Sequence, residues 1–201
     1  MRRFSRSVFA LVVLCGLSAV TSAQMTPAAT QPVPPAVGEK LGDFTLKQLD
    51  GKSITLSELN KSGPVVVLML RGWVGYQCPI CTQQVAGFFG KADEFRAAGA
   101  NVVMIYPGSA ELVQAKAEEF VTGKTIPEGF HFVVDPDLKI VNQYALRWNA
   151  PNETAYPSTF VIGRDGIIKF EKISHSHGDR SSAPEVLELL KSNHPATMPA
   201  H

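Results

Sequence analysis

The sequence predicts an α/β protein whose central mixed sheet carries helices on both faces and an N-terminal β-hairpin extension. Apolar runs of strand length alternate with helical patterns, an order typical of parallel strands joined by right-handed crossovers. Residues 163–166 (Gly-Arg-Asp-Gly) separate two strand-like runs, which predicts an antiparallel hairpin near the C-terminus. The 201 residues, 45% apolar and 18% charged, suffice for one globular domain with extra segments.

The first elements lie before the central strand. Residues 43–49 alternate weakly, and the turn signal Asp50-Gly51 precedes residues 53–56, which predicts a short hairpin. Residues 57–59 look like one helical turn. The uncharged run 65–70 predicts a buried strand, and the polar loop that follows it leads to Cys-Pro-Ile-Cys.

A first long helix is predicted over residues 79–98, where apolar side chains recur at three- and four-residue spacing. Gly87 and Gly90 weaken this helix by about 1 kcal/mol each relative to alanine. The remaining predicted elements are a strand at 101–106, a helix from a Ser109 cap to 122, a strand at 130–134, a short helix through 144, strands at 158–162 and 167–173, and a helix at 184–191.

The N-terminus predicts a signal peptide rather than a folded element. Three arginines precede the 13-residue apolar stretch 8–20, which is short for a bilayer span, and Thr21-Ser22-Ala23 ends it as a cleavage site would. An uncleaved membrane anchor is the alternative. We therefore expect export to a periplasmic or extracellular location. The expected organisation is a signal peptide at 1–23, a Pro/Ala-rich linker at 24–38, the folded domain at 39–192 and a flexible tail at 193–201.

The cysteines point to chemistry rather than to structural cross-linking. Cys15 lies in the predicted signal peptide, so the mature chain keeps Cys78 and Cys81 alone. A bridge between residues so close in sequence removes little entropy from the unfolded chain and stabilises it weakly. The formal charge of +1, about −2 after cleavage, argues against a nucleic-acid partner.

The position of the pair predicts a reactive thiolate. With Cys78 as the N-cap and Pro79 as the first helical residue, the amides of Ile80 and Cys81 would point at the Cys78 sulfur. Such a site lowers a cysteine pKa from about 8.5 into the range of about 3.5–7.5. Cys78 is therefore the expected nucleophile, and Cys81, one turn deeper, the expected resolving thiol.

Two alternatives remain for the pair. A permanently bridged, inert disulfide is one. The other is a copper or zinc carrier that uses Cys78, Cys81 and one histidine, although a structural zinc needs four ligands. The histidines available to such a site are His131, His175, His177, His194 and His201.

Three segments together resemble the thioredoxin-like superfamily, in its redoxin branch of alkyl hydroperoxide reductases and thiol-specific antioxidant proteins. They are Gly-Asp-Phe-Thr-Leu at 42–46, the Arg-Gly to Cys-Pro-x-Cys block at 71–81, and Tyr-Pro-Ser-Thr-Phe-Val-Ile at 156–162. The resemblance runs over residues 37–190. It implies a thioredoxin-like fold, with Pro157 in the cis form against the active-site disulfide and the Tyr156 backbone free to pair with a substrate strand. A trans Pro157 at the start of a strand is the alternative.

The chain also departs from the family that it resembles. Typical peroxiredoxins carry proline and a hydroxyl residue where this chain has Arg71 and Gly75, so the group that orients a peroxide is missing. Arg71 or Arg147 is a candidate for the positive charge, with a solvated loop charge as the alternative for Arg71. Thioredoxin has a buried acid in the central strand, and residues 65–70 have none, so no base is assigned.

These observations predict a thiol–disulfide oxidoreductase that uses Cys78, Cys81 and Pro157, supported by Arg71, Trp73 and Tyr156. Trp73, like Tyr76 and Trp148, is a candidate for the rim of the site. A thiol peroxidase with the same pair is the first alternative. The expected partners are protein or small-molecule thiols and disulfides, or hydroperoxides, with an external thiol reductant and without cofactor or resident metal.

Overall fold

The computed structural model describes residues 32–192. The predicted signal peptide, the first part of the predicted linker and the predicted tail lie outside these residues. The elements are β1 (Thr45–Gln48), β2 (Ser53–Thr55), α1 (Leu56–Ser62), β3 (Val65–Met69), α2 (Pro79–Phe89), α3 (Ala92–Ala97), β4 (Asn101–Gly108), α4 (Val113–Val121), β5 (Phe130–Pro136), α5 (Lys139–Gln143), β6 (Ser158–Ile162), β7 (Ile168–Ile173) and α6 (Ala183–Ser192). No helix between residues 32 and 192 combines the length and the apolar character that a bilayer crossing requires.

The strands form one mixed sheet in the order β2-β1-β5-β4-β3-β6-β7. The crossover-connected strands β3, β4 and β5 run parallel, whereas β6 and β7 pair antiparallel on one side. The β1–β2 hairpin adds to the other side through an antiparallel contact of β1 with β5. The predicted α/β class and mixed sheet are confirmed.

Strand β3 lies inside the sheet between β4 and β6, and every one of its residues is buried. Val66 and Leu68 belong to the core beneath α2, α3, α4 and α6, whereas Val65, Val67 and Met69 belong to the core beneath α1 and α5. An apolar strand without alternation is typical of a strand covered on both faces. The segment that follows β3 therefore begins in the core, at the carboxyl end of a buried strand.

The prediction of one helix over residues 79–98 is wrong, because the segment forms α2 and α3 with a break between them. Gly90 ends α2, and the Lys91 N–H turns back to the Phe88 carbonyl at 3.1 Å. Two glycines in three turns weaken the helix enough for the chain to bend there. Phe88 and Phe95 still stack at 5.4 Å between ring centroids, so the break keeps the apolar stripe in the core.

Helix α4 also begins later than the Ser109 cap predicts. The Ser109 carbonyl, rather than its side chain, accepts hydrogen bonds from the amides of Leu112 and Val113, and the helix starts at Val113. Residues 109–112 are thus a turn that leads into the helix.

Candidate active site

The two cysteines lie at the start of α2, at the edge of the sheet where β3 ends. Cys78 is the N-cap with an extended backbone, and Pro79 is the first helical residue, as the sequence predicts. Of the two amides expected to reach the Cys78 sulfur, the Cys81 N–H does so, at 3.3 Å from Sγ. Both cysteines are unbridged thiols.

Both side chains are part of the core that α2 and α6 cover. Cys78 is 4% exposed and Cys81 is 1% exposed. The difference in depth agrees with the order predicted for them, since the outer sulfur is the one that a substrate meets first.

The pair shares one negative charge unequally. A hydrogen bond from the Cys81 thiol, stronger than the opposing effect of burial and assisted by the Cys81 amide and the charges of Arg180 and Arg71, lowers the pKa of Cys78 to about 5. The same hydrogen bond together with burial raises the pKa of Cys81 far above that of a free thiol, against the charge of Arg180. At neutral pH, Cys78 is the thiolate and Cys81 holds the proton.

Arg180 is the residue that sequence reasoning missed. It lies in the loop between β7 and α6, and its Nη1 is 3.2 Å from Cys81 Sγ while its Nη2 is 3.7 Å from Cys78 Sγ. Its Nε donates to the His177 carbonyl at 2.9 Å, and its Nη1 also donates to Gln84 Oε1 at 3.2 Å. Nothing in the sequence signals this contact, because Arg180 follows the pair by about a hundred residues in a polar loop.

Arg71 is near the pair but its charge has another partner. It is 2% exposed, and its guanidinium forms a two-pronged ion pair with the Glu153 carboxylate. It also donates to the Tyr76 hydroxyl at 2.8 Å and to the Asn152 carbonyl at 2.7 Å. The alternative of a solvated loop charge is therefore wrong, since burial of a guanidinium requires such a partner.

Glu153 connects this ion pair to the loop of Arg180. Its Oε1 lies 2.8 Å from His177 Nε2, and the His177 carbonyl is the acceptor for Arg180. The loop that carries Arg180 is thus tied to the buried Arg71–Glu153 pair. Arg147, the other candidate for a charge at the sulfur, instead donates to the carbonyls of Trp148 and Glu153 and so braces the separate loop that carries Glu153.

The segment between β3 and the pair is fixed by backbone and side-chain contacts. The Trp73 N–H donates to the Pro107 carbonyl at 3.1 Å, and the half-buried Trp73 ring lies 4.3 Å from Lys116 Nζ. The Tyr106 hydroxyl donates to Gln77 Oε1 at 2.8 Å, directly before Cys78. Trp73 therefore contacts the same core as the cysteines, whereas Tyr76 is exposed.

The cis form that the resemblance implies for Pro157 is wrong, since residues 32–192 contain no cis peptide bond. Pro157 precedes β6, where its missing N–H breaks no pairing, and its carbonyl accepts from the Ser174 amide at 2.8 Å. Ser158 lies opposite Met69, so Pro157 is at the same sheet edge as the end of β3. The backbone of Tyr156 is occupied, since its N–H donates to Leu146 and its carbonyl accepts from Ser158 Oγ.

The side chain of Tyr156 lies among other aromatic rings. Trp148 stacks on Tyr156 with 5.0 Å between centroids, and His175 meets it edge-on at 4.7 Å. Trp148 also contacts the His177 ring at 5.1 Å.

Among residues 32–192, no group of three or more His, Cys, Asp and Glu side chains is placed to hold a metal ion. His194 and His201 lie outside that range.

Comparison with known proteins shows the family of the chain. The profile of the AhpC/TSA family matches residues 37–171, more than half of the chain. The chain belongs to the AhpC/TSA family. Its relatives include a thiol-disulfide oxidoreductase, ResA from Halalkalibacterium halodurans, 26% identical over 154 residues that cover 77% of each chain. A chloroplastic peroxiredoxin Q from Sedum lineare is 27% identical over 149 residues, 74% of each chain.

Solved structures show the same thioredoxin-like fold. Peroxidoxin BcpB from Mycobacterium tuberculosis has a TM-score of 0.65 at 23% identity, covering 79% of this chain and 98% of that chain. AhpC from the same organism has a TM-score of 0.64 at 18% identity, covering 80% and 93%. This AhpC/TSA protein is accordingly a redoxin-type thiol oxidoreductase.

Proposed function

We propose that this AhpC/TSA protein exchanges thiols and disulfides through Cys78 and Cys81. The Cys78 thiolate attacks one sulfur of a substrate disulfide, forms a mixed disulfide and releases the other half as a thiolate. Cys81 then loses its proton to water and attacks Cys78 Sγ, which releases the second thiolate. Two electrons pass from the cysteine pair to the substrate, and an external thiol reductant restores the pair.

One observation carries this proposal: Cys78 caps helix α2 with its sulfur 3.3 Å from the Cys81 N–H, and the Cys81 thiol hydrogen-bonds to the same sulfur. Cys78 is the low-pKa sulfur at the helix N-terminus, and Cys81 donates to it from below. An attacking thiolate next to a protonated resolving thiol is the arrangement that stepwise exchange requires.

A thiol peroxidase is the second candidate, favoured by the likeness to peroxiredoxin Q. In that reaction hydroperoxide oxidises Cys78 to a sulfenic acid, and Cys81 condenses with it and releases water. One observation weighs against it: Gly75 supplies no hydroxyl to orient a peroxide.

Trapping tests the exchange chemistry. We expect Cys78→Ser to abolish reduction of a protein disulfide such as insulin, because the attacking sulfur is gone. Cys81→Ser should instead accumulate a covalent, thiol-reversible adduct on Cys78. Both variants keep a small polar side chain, so their thermal unfolding serves as the control for folding. Failure to form an adduct on Cys81→Ser, with the fold intact, would refute the proposal.

A competition of rates separates exchange from peroxide reduction. The reduced wild-type protein is mixed in turn with hydrogen peroxide and with a protein disulfide, and loss of the Cys78 thiolate is followed by its ultraviolet absorbance. We expect the disulfide to react at least as fast. A reaction with peroxide that is faster by orders of magnitude would assign the protein to the peroxidases.

We also propose that the protein works after export, in a periplasmic or extracellular compartment. The support is the arginine-led apolar segment before residue 24. Fractionation of cells that express the chain with and without residues 1–23 tests this. Equal amounts in the cytoplasmic fraction for both versions would contradict it.

A further inference from the structure

We propose that Arg180 is a catalytic residue of the dithiol site, a single cation shared by both sulfurs that favours negative charge first on Cys78 and then on Cys81. The inference deepens the proposed exchange function and rests on it. It assigns a role to a residue of the loop between β7 and α6, outside the Cys-Pro-Ile-Cys segment.

The contacts of Arg180 leave its charge for the sulfurs. Its Nη1 and Nη2 reach Cys81 Sγ at 3.2 Å and Cys78 Sγ at 3.7 Å. The other partners of its guanidinium among residues 32–192 are the His177 carbonyl and Gln84 Oε1, and no carboxylate is among them. Both of these acceptors are neutral, so they orient the guanidinium without cancelling its charge.

The resolving step is where this charge is needed most. Cys81 is 1% exposed, and burial opposes its ionisation. The central strand β3 is entirely apolar, so no acid or base of that strand helps Cys81 to lose its proton. Once the Cys78 sulfur is part of a mixed disulfide, its negative charge has left the site. Arg180 then offers an undivided positive charge to the Cys81 sulfur.

The electrons and protons of that step balance without a further reactant. The Cys81 S–H proton passes to water, and an electron pair of the Cys81 sulfur forms the new bond to Cys78 Sγ. The bond between Cys78 and the substrate sulfur breaks and its electron pair leaves as a thiolate, which takes a proton from water. Arg180 keeps all its protons throughout, because a guanidinium does not deprotonate in this pH range.

The test resolves the two steps with dipyridyl disulfide, a neutral probe that releases one chromophore in each step. Loss of an opposite charge within about 4–6 Å raises a thiol pKa by about 1–3 units. In Arg180→Met at pH 7 we expect the first release to stay within about threefold of wild type, since Cys78 remains largely ionised or becomes more nucleophilic. The second release, from a protonated Cys81, should slow about 3- to 30-fold.

Matched variants separate charge from structure. Arg180→Lys keeps the positive charge and should recover part of the second rate, while Arg164→Met removes an exposed arginine from the β6–β7 turn and should match wild type. Arg180→Gln replaces Arg180→Met if the latter does not fold. Equal slowing of both releases at every pH would assign Arg180 a structural role and overturn the proposal, as would a second release within twofold of wild type.

A substrate-free readout keeps this inference distinct from the proposed function. The rate of Cys78 alkylation by iodoacetamide, followed from pH 4 to 9, should show a higher midpoint in Arg180→Met than in Arg164→Met. An unchanged midpoint contradicts the role of Arg180, whereas absence of any reaction with disulfides contradicts the exchange function alone. The titratable and charged groups that face the two sulfurs are Cys81, Arg180, Arg71 and Tyr106, with Glu153 and His177 behind the arginines.

Discussion

Two arginines on two loops meet at the dithiol, and their charges have different uses. Arg71, directly after β3, is buried against the Glu153 carboxylate and hydrogen-bonded to a hydroxyl and a carbonyl. Arg180, three residues before the start of α6, contacts two neutral oxygens and the two sulfurs. Arg71 is seven residues before Cys78, the first residue of the Cys-Pro-Ile-Cys segment, and Arg180 is far beyond that segment.

The difference teaches that the neighbours of a cation decide its function more than its distance in sequence from the nucleophile. A guanidinium paired with a buried carboxylate has most of its field cancelled, and it holds loops together. A guanidinium oriented by neutral acceptors keeps its field for whatever lies in front of it. We therefore expect Arg71 to act mainly on stability and Arg180 mainly on the chemistry proposed for the sulfurs.

The largest expected effect comes from Arg71→Met. Removal of one partner of a buried ion pair leaves the Glu153 charge buried without compensation and costs about 3–5 kcal/mol. Denaturant unfolding of the reduced protein measures the free energy of unfolding. Arg180→Met, which loses hydrogen bonds to a carbonyl and an amide, should cost only about 1 kcal/mol.

The double variant Arg71→Met with Glu153→Gln is the matched control. It removes both charges, so it should be more stable than Arg71→Met alone. A loss of less than about 1 kcal/mol in Arg71→Met would mean that the pair is solvated, and the contrast between the two arginines would disappear.

Acid should weaken the ion pair between Arg71 and Glu153. Burial acts to raise the pKa of Glu153, but hydrogen bonds from Arg71 and His177 outweigh it and hold this pKa below its ordinary value of 4.5. A carboxyl with a depressed folded-state pKa stabilises the protein above its unfolded-state pKa, and this contribution is lost as the pH falls through the folded-state value. The free energy of unfolding should therefore fall below about pH 4.5. Identical acid profiles for wild type and Glu153→Gln would exclude this origin.

The reduction potential of the Cys78–Cys81 pair tests the effect of the Arg180 charge. Because the pKa of Cys78 is lowered to about 5, ionisation stabilises the reduced pair at neutral pH and makes it more oxidising. Arg180→Met should shift the potential to more negative values by about 30 mV, a tenfold change in the exchange equilibrium. Equilibration with a glutathione redox buffer measures it. Arg71→Lys, which keeps a charge for Glu153, should shift it by less; an equal shift would remove the distinction.

The smallest effect is expected from Asp179→Asn. Asp179 forms an exposed ion pair with Lys172 at 2.9 Å, next to Arg180 in sequence. Exposed pairs contribute about 0–1 kcal/mol, so the free energy of unfolding should barely change. The alkylation midpoint of Cys78 should stay where it is. A shift comparable to that of Arg180→Met would show that surface charges act on the sulfur through the solvent.

Local patterns in the sequence were enough for much of the fold. The apolar run before Arg71 is strand β3, and the turn at Gly163 to Gly166 joins β6 and β7. The patterns did less well where tertiary packing competes with local propensity. The helix expected over residues 79–98 breaks after Phe89, because packing keeps Phe88 and Phe95 together on either side of a glycine.

The local geometry of the cysteine pair follows from the sequence alone. The capping Cys78, the proline after it and the Cys81 amide are neighbours in sequence and need no other part of the molecule to meet. The cations do not follow from the sequence. The packing of β6, β7 and α6 beside β3 decides whether Arg71 contacts Glu153 or a sulfur. It also decides whether Arg180 reaches the sulfurs. Contacts between residues about a hundred positions apart are set by that packing, and no local pattern records them.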